Sequence, residues 1–313
     1  MRRLALLAAA VLIVAAAPSV RAEPYDVDLS RLGAPDPSVW GAIYTVRGAT
    51  PGDLNALADG ARQRFAILSS EMALALSSAI LQPASTTGHS GFALDLEAAT
   101  LPVHSGAVGA TDLGYSATPW AGARTQPSSL YLPSAHVRKG LPFSFELGGR
   151  FIYLAMSNAF AGQGEAKWAL HEGFASFPDI AVRAAYTQLF GVKDWNLSTF
   201  DLDLMISKRF GLRGVTSLTP YLVPRLTWVN GSTDRIEFAR VTPAVGSLGT
   251  QAAFPNFGAL LYRTTAGLRF TAYAVSMALE ATYFAGASPS SKGYDGVKLK
   301  STLGGAAKLG WEW

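Results

Sequence analysis

From Phe92 onward the chain alternates between apolar and polar positions. Phe92, Leu94, Leu96 and Ala98 share one face of an extended segment and Asp95 and Glu97 take the other. The same period returns further on, where Phe143, Phe145, Leu147, Phe151 and Tyr153 oppose Ser144, Glu146 and Arg150, and Ala166, Trp168 and Leu170 oppose Glu165, Lys167 and His171. Ile180, Val182, Ala184 and Tyr186 oppose Arg183 and Thr187, and Leu202, Leu204 and Ile206 oppose Asp201, Asp203 and Ser207. In the last third, Leu218, Leu222, Leu226 and Trp228 oppose Thr219, Tyr221, Arg225 and Thr227. Tyr262, Leu268 and Phe270 oppose Arg263, Thr265 and Arg269, while Val275, Met277, Leu279 and Tyr283 oppose Ser276, Glu280 and Thr282. Successive side chains of a strand point to opposite faces, so each segment predicts a strand with one apolar face. Two more, near 129–138 and 299–312, bring the expected count to about ten, within a range of about ten to twelve.

The stretch before Phe92 follows another period. Leu54, Leu57, Phe65, Leu68, Met72, Leu76 and Ile80 recur at spacings that suit one or two helices. Asp53 is a suitable residue for a helix N-terminus, and Gln82-Pro83 closes the run. Three regions follow: 1–22, a leader; 23–90, a partly helical N-terminal segment that is either periplasmic or a plug; and 91–313, the strand series.

The leader is MRRLALLAAAVLIVAAAPSVRA. Arg2 and Arg3 precede an apolar run of about fourteen residues, short of the roughly twenty that a helix needs to cross a bilayer. It reads as a signal peptide cleaved after Ala22. Its removal takes three arginines and no acid from a chain of net charge +4, so the basic balance gives no support to nucleic acid as a partner. The chain has no cysteine, which excludes disulfides, thiolate zinc and a lipid-modified cysteine.

Hydrophobic residues make up 49% of the chain and charged ones 15%, yet after the leader no apolar segment is long enough to span a membrane as a helix. A closed β-barrel is the other structure that satisfies every backbone group in lipid. The connections agree: those at about 103–128 and 230–258 are long, and those at 139–141 and 271–274 are short. Long loops on one side and tight turns on the other belong to barrels with extracellular loops and periplasmic turns. Trp168, Tyr186, Trp228, Tyr262, Tyr283 and Trp311 fall on the apolar face, where aromatic residues line the membrane interfaces.

The chain ends KLGWEW, with Leu309, Trp311 and Trp313 alternating to the last residue. This terminus, together with the strand series, resembles that of bacterial outer-membrane β-barrel proteins, whose last strand is the signal read by the barrel-assembly machinery. The resemblance implies an all-β, antiparallel up-and-down transmembrane barrel with a helical N-terminal segment, exported to the outer membrane of a Gram-negative cell. Its partners are outer-membrane lipid and the assembly machinery, and its oligomeric state is open. The helical run leading into a first strand also resembles the long-chain fatty acid transporter class, whose N-terminus plugs the barrel. That class has more strands and an Asn-Pro-Ala hatch motif absent here, so its substrate is not carried over.

Catalytic chemistry finds little footing. In Gly88-His89-Ser90-Gly91-Phe92, Phe92 stands where a hydrolase elbow needs glycine, and a strand follows instead of a helix. His89 and Ser90 are adjacent, unlike the spaced His and Ser of outer-membrane phospholipases, and the aspartates Asp201 and Asp203 lack the His-Asp pair of omptin-type proteases. The expectation is no enzyme, with a membrane hydrolase as the third-ranked reading. His89, His104, His136 and His171 lie far apart in sequence and show no ligand spacing, so neither a metal nor a cofactor is expected.

The candidate functional residues are the charges on the polar face, which a barrel turns into its lumen: Asp95, Glu97, Glu146, Arg150, Glu165, Lys167, Arg183, Asp201, Asp203, Arg225, Arg263, Arg269 and Glu280, with Lys308 and Glu312 at the end. Charges in a narrow lumen either pair across it or stay hydrated. Hydrated, they line a porin-like channel or passive transporter for small solutes, the leading expectation. Paired, they make a non-conducting barrel that serves as a structural or partner-binding component.

Overall fold

The computed structural model describes residues 25–43, 50–77, 79–103, 128–174, 176–212, 214–238, 251–286, 291–295 and 297–313. The leader, His104 and much of the two long loops lie outside them.

Ten long strands form the wall: β1 (Phe92–Pro102), β2 (Ser129–Leu141), β3 (Phe145–Tyr153), β4 (Phe160–His171), β5 (Asp179–Phe190), β6 (Trp195–Ser207), β7 (Thr216–Thr233), β8 (Phe257–Ala272), β9 (Val275–Phe284) and β10 (Thr302–Glu312). Each pairs antiparallel with its sequence neighbours, and β10 pairs with β1, Leu309 opposite Leu96 and Trp311 opposite Leu94. The sheet is a closed up-and-down barrel, and closure leaves none of these strands an unpaired edge. The two-residue strand Phe210–Gly211 extends the β6–β7 hairpin.

One end of the barrel holds both ends of the strand series, where Phe92 and Trp313 exchange backbone bonds of 2.7 and 2.9 Å. The connections on that side are 142–144, 172–178, 208–215 and 273–274; those on the other are 103–128, 154–159, 191–194, 234–256 and 285–301. We call these the terminus side and the loop side.

Several boundaries move from those the pattern predicts. The β2–β3 turn lies at 142–144 rather than 139–141, because β2 continues to Leu141, and Phe143 and Ser144 take positive φ of 62° and 60° within the turn. Phe143 is therefore exposed at a hairpin tip. The last strand begins at Thr302 rather than near 299.

Helix α1 spans Pro37–Ile43 and α2 spans Pro51–Leu76. Pro51 at the first helical position and the Asp53 carboxylate, which accepts the Thr50 N–H at 2.8 Å, open α2. It ends at Leu76, short of the expected 82. Beyond it the chain runs through the barrel without helix, and Leu81 has a φ of 54°. Its backbone groups bond to the barrel wall, as described below.

Outward faces carry the apolar positions that the alternation predicts, among them Leu96, Leu204, Leu222 and Leu279, and the aromatics Trp168, Tyr186, Trp228, Tyr262, Tyr283 and Trp311 are all exposed there. The inward face has two zones. Toward the loop side it is apolar: Leu101, Leu132, Leu197, Val229 and Leu261 are buried against α2. Toward the terminus side it is charged. Large inward side chains there lie over glycines on the next strand. Gly267 faces Tyr221 across the β7–β8 ladder, and a Cβ at Gly267 would stand 2.1 Å from the tyrosine ring. Gly267→Ala should therefore displace Tyr221 and destabilise the barrel by about 1–3 kcal/mol, read as a lower urea midpoint of the folded band in detergent. An unchanged midpoint would show that the ring is not held against this glycine.

Candidate functional site in the barrel lumen

The period of two places Asp95, Glu97, Glu146, Arg150, Glu165, Lys167, Arg183, Asp201, Asp203, Arg225, Arg263 and Glu280 on the inward face, buried, with Arg269 part-buried beside them. The geometry adds two residues that the pattern reading passed over, His136 and Arg138, both buried on the inward face of β2. Their signal was available: Leu130, Leu132, His136 and Arg138 share one parity.

Most of these side chains are joined in ion pairs. Near the terminus side, Arg138 bridges Asp95 (2.9 Å) and Glu146 (3.4 Å), Lys167 reaches Glu146 (2.8 Å), Lys308 reaches Asp95 (3.1 Å), and Arg269 pairs with Glu312. Further in, Arg150 pairs with Glu97 at 2.8 Å, and the His136 ring nitrogens lie 3.1 Å from Glu97 and from Glu165. Glu165 then meets Arg183 at 2.5 Å, Arg183 meets Asp203, Asp203 meets Arg225, and Arg263 pairs with Asp201 at 3.0 Å. Opposite charges alternate around the wall. Each of these paired ions thus has the partner that offsets its desolvation, and Glu280 is held by hydrogen bonds instead.

The same groups grip the backbone of the segment after α2. Arg225 and Arg263 donate to the Ser77 carbonyl, the latter at 3.1 Å. Arg150 donates to the Ala79 carbonyl at 2.7 Å, and Glu280 accepts the N–H groups of Ile80 and Leu81 at 2.8 and 2.7 Å while Tyr221 donates to it at 3.1 Å. Gln82 donates to Glu165 and accepts from Lys167, and Ala84 N–H donates to Ser207 Oγ at 3.0 Å. Thr86 and Thr87 N–H donate to Glu172 and Glu146, 2.8 and 2.7 Å. The contacts descend in order from the middle of the lumen to the terminus side. An irregular stretch inside a barrel leaves its peptide groups unpaired by any ladder, and here inward side chains, most of them charged, pair many of them.

Toward the loop side the lumen is filled by α2. Phe65 stacks on Phe254 at 4.5 Å and lies 6.3 Å from both Trp195 and Tyr294. Arg64, buried on the helix, donates to the Leu32 carbonyl at 2.7 and 3.0 Å and so ties the preceding turn, Leu29–Leu32, to α2. Below the threaded segment, on the terminus side, an open vestibule of about 710 Å³ is lined by Thr86, Glu172, Lys208, Arg269, Tyr273 and Glu312 among others.

Asp95, Glu97 and His136 each offer a ligand atom within 4.8 Å of the others. Arg138 and Lys308 already hold Asp95, Arg150 holds Glu97, and Arg150 also stands 3.2 Å from the His136 ring. That built-in positive charge opposes a divalent ion, so the arrangement fits an ion-pair knot and not a metal centre. His89 and Ser90 lie in the exposed turn at the terminus-side mouth, where Gly91 N–H bonds to the Gly88 carbonyl at 3.1 Å. Leu309, Trp311 and Trp313 point outward at the terminus side.

No family model matches the chain, and no curated protein sequence matches it. Similar solved structures include the N-terminal β-barrel domain of Pseudomonas aeruginosa OprF, at 10% identity over 72% of this chain and 99% of that one, TM-score 0.32. The attachment invasion locus protein Ail of Yersinia pestis is similar at 12% identity, with 72% and 99% covered and a TM-score of 0.23. The KdgM porin is similar at 8% identity, with 70% and 98% covered and a TM-score of 0.29. The fold itself, a closed ten-stranded antiparallel barrel, is fixed by the strand order.

Asp203 joins two arginines on neighbouring strands, so Asp203→Asn leaves both without their shared counter-charge. Loss of one partner from a buried pair costs about 3–5 kcal/mol, and unfolding in detergent should show a loss of that size, whereas the outward Leu204→Ala should cost far less. Equal, small losses for the two variants would mean that the lumen charges are hydrated and not paired.

Proposed function

We propose that the chain is an integral outer-membrane barrel closed to solutes by its own N-terminal segment, working as a non-conducting component whose loop-side face makes its contacts. The observation that carries this reading is the filled lumen: α2 occupies the apolar half, and residues 79–87 occupy the charged half with peptide groups of Ala79, Ile80, Leu81, Ala84, Thr86 and Thr87 bonded to the wall. The outward apolar belt suits lipid as the surrounding partner, the leader suits export, and the outward Leu309, Trp311 and Trp313 suit recognition by the assembly machinery. The channel reading keeps one specific support, the vestibule on the terminus side, which would extend into a pore for a small solute if the segment withdrew.

Planar bilayers containing the full chain, with insertion verified by heat-modifiable migration, should carry no steady current at low voltage. Steady single-channel conductance would overturn the closed-barrel reading in favour of a channel.

A further inference from the structure

The route of the N-terminal segment through the barrel has a topological consequence. Residues at its beginning touch the loop side: the Tyr25 N–H donates to the Met156 carbonyl at 2.9 Å, and Asp26 accepts from the Asn158 N–H and side chain at 2.7 and 3.0 Å, both in the 154–159 connection. The chain then enters the lumen as α2, crosses it as residues 79–87, and leaves at the terminus side, where Gly140 N–H bonds to the Gly91 carbonyl at 3.0 Å and β1 begins. Residues 25–43 and 50–57 thus stand at the opposite end of the barrel from Phe92.

Barrels of this kind keep short turns on the periplasmic side and long loops outside. The two-residue and three-residue turns, 273–274 and 142–144, are on the terminus side, and the connections 103–128 and 234–256 are on the other. We infer that the barrel carries its own N-terminal segment through its lumen and displays residues 25–43 and 50–57 on the outer surface of the cell, joined to the loop-side face, while the strand ends stay in the periplasm. This rests on the outer-membrane reading above and adds a direction to it. In place of a periplasmic extension, the N-terminal segment becomes part of the cell surface, where it meets the 154–159 connection and is anchored beneath by Phe65 against Phe254 and Tyr294.

The absence of native cysteine allows a direct test with the full-length protein. Ser38 and Ser90 are both exposed and bracket the threaded stretch, and Ser→Cys is close to isosteric. Lys193, 90% exposed in the β5–β6 connection, reports the loop side. Intact cells are treated with a membrane-impermeant maleimide, and the same variants are treated after lysis. Ser38→Cys and Lys193→Cys should label fully in intact cells, with Ser90→Cys labelling only after lysis. Ser38→Cys and Ser90→Cys labelling together, on either side, would overturn the threading. Ser90→Cys labelling in intact cells while Ser38→Cys and Lys193→Cys are protected would leave the threading intact and overturn display on the surface. Protection of all three until lysis would overturn the outer-membrane reading itself.

Discussion

The structure depends on how a closed wall deals with the charges and peptide groups it encloses. Closure removes every long strand edge and turns the polar face of each strand inward, so that Asp95, Glu165, Arg183, Asp203 and Arg263 have only one another and whatever fills the lumen to bond with. The filling is the chain itself. Residues 79–87 have no strand partner for their carbonyls and N–H groups, and the wall has charges that need more contacts than their pairwise neighbours give. Glu280 makes the point: among the described residues no cation forms an ion pair with it, and it is held by the amides of Ile80 and Leu81 and the Tyr221 hydroxyl. Segment and wall satisfy each other.

The division of the lumen follows from the same requirement. Helix α2 satisfies its own backbone, so it can lie in the apolar zone against Leu197, Val229 and Leu261, whereas the irregular stretch needs the polar zone. A helix that continued to residue 82 would have placed self-satisfied peptide groups among the charges and left Arg225, Arg263 and Glu280 without their backbone contacts. The helix stops where the wall changes character, at Leu76 and Ser77.

Much of the wall was legible in the sequence because a strand repeats every two residues whatever surrounds it. The alternation from Phe92 onward gave the strands, the inward charges and the outward aromatics with no tertiary information. It says less where both faces are apolar: Leu132, Ile152 and Leu197 face inward, and only the parity they share with His136, with Glu146 and Arg150, and with Asp201 separates them from residues that face lipid. It also passed over Arg138 and His136. The course of residues 79–87 was not legible at all, since its conformation is set by Glu280, Arg150 and Glu165, which lie far away in the chain. The helical spacing that ended at Ile80 counted an apolar residue whose burial comes from the lumen and not from a helix face.

Amide hydrogen exchange of the full chain in micelles tests the mutual satisfaction of segment and wall most directly. Ile80 and Leu81, which donate to Glu280, together with Ala84 and Thr87, should exchange as slowly as the amides of β5 and β6. Fast exchange at these four positions beside slow strands would contradict the account, and would mean that the lumen is closed, if at all, by something other than this segment.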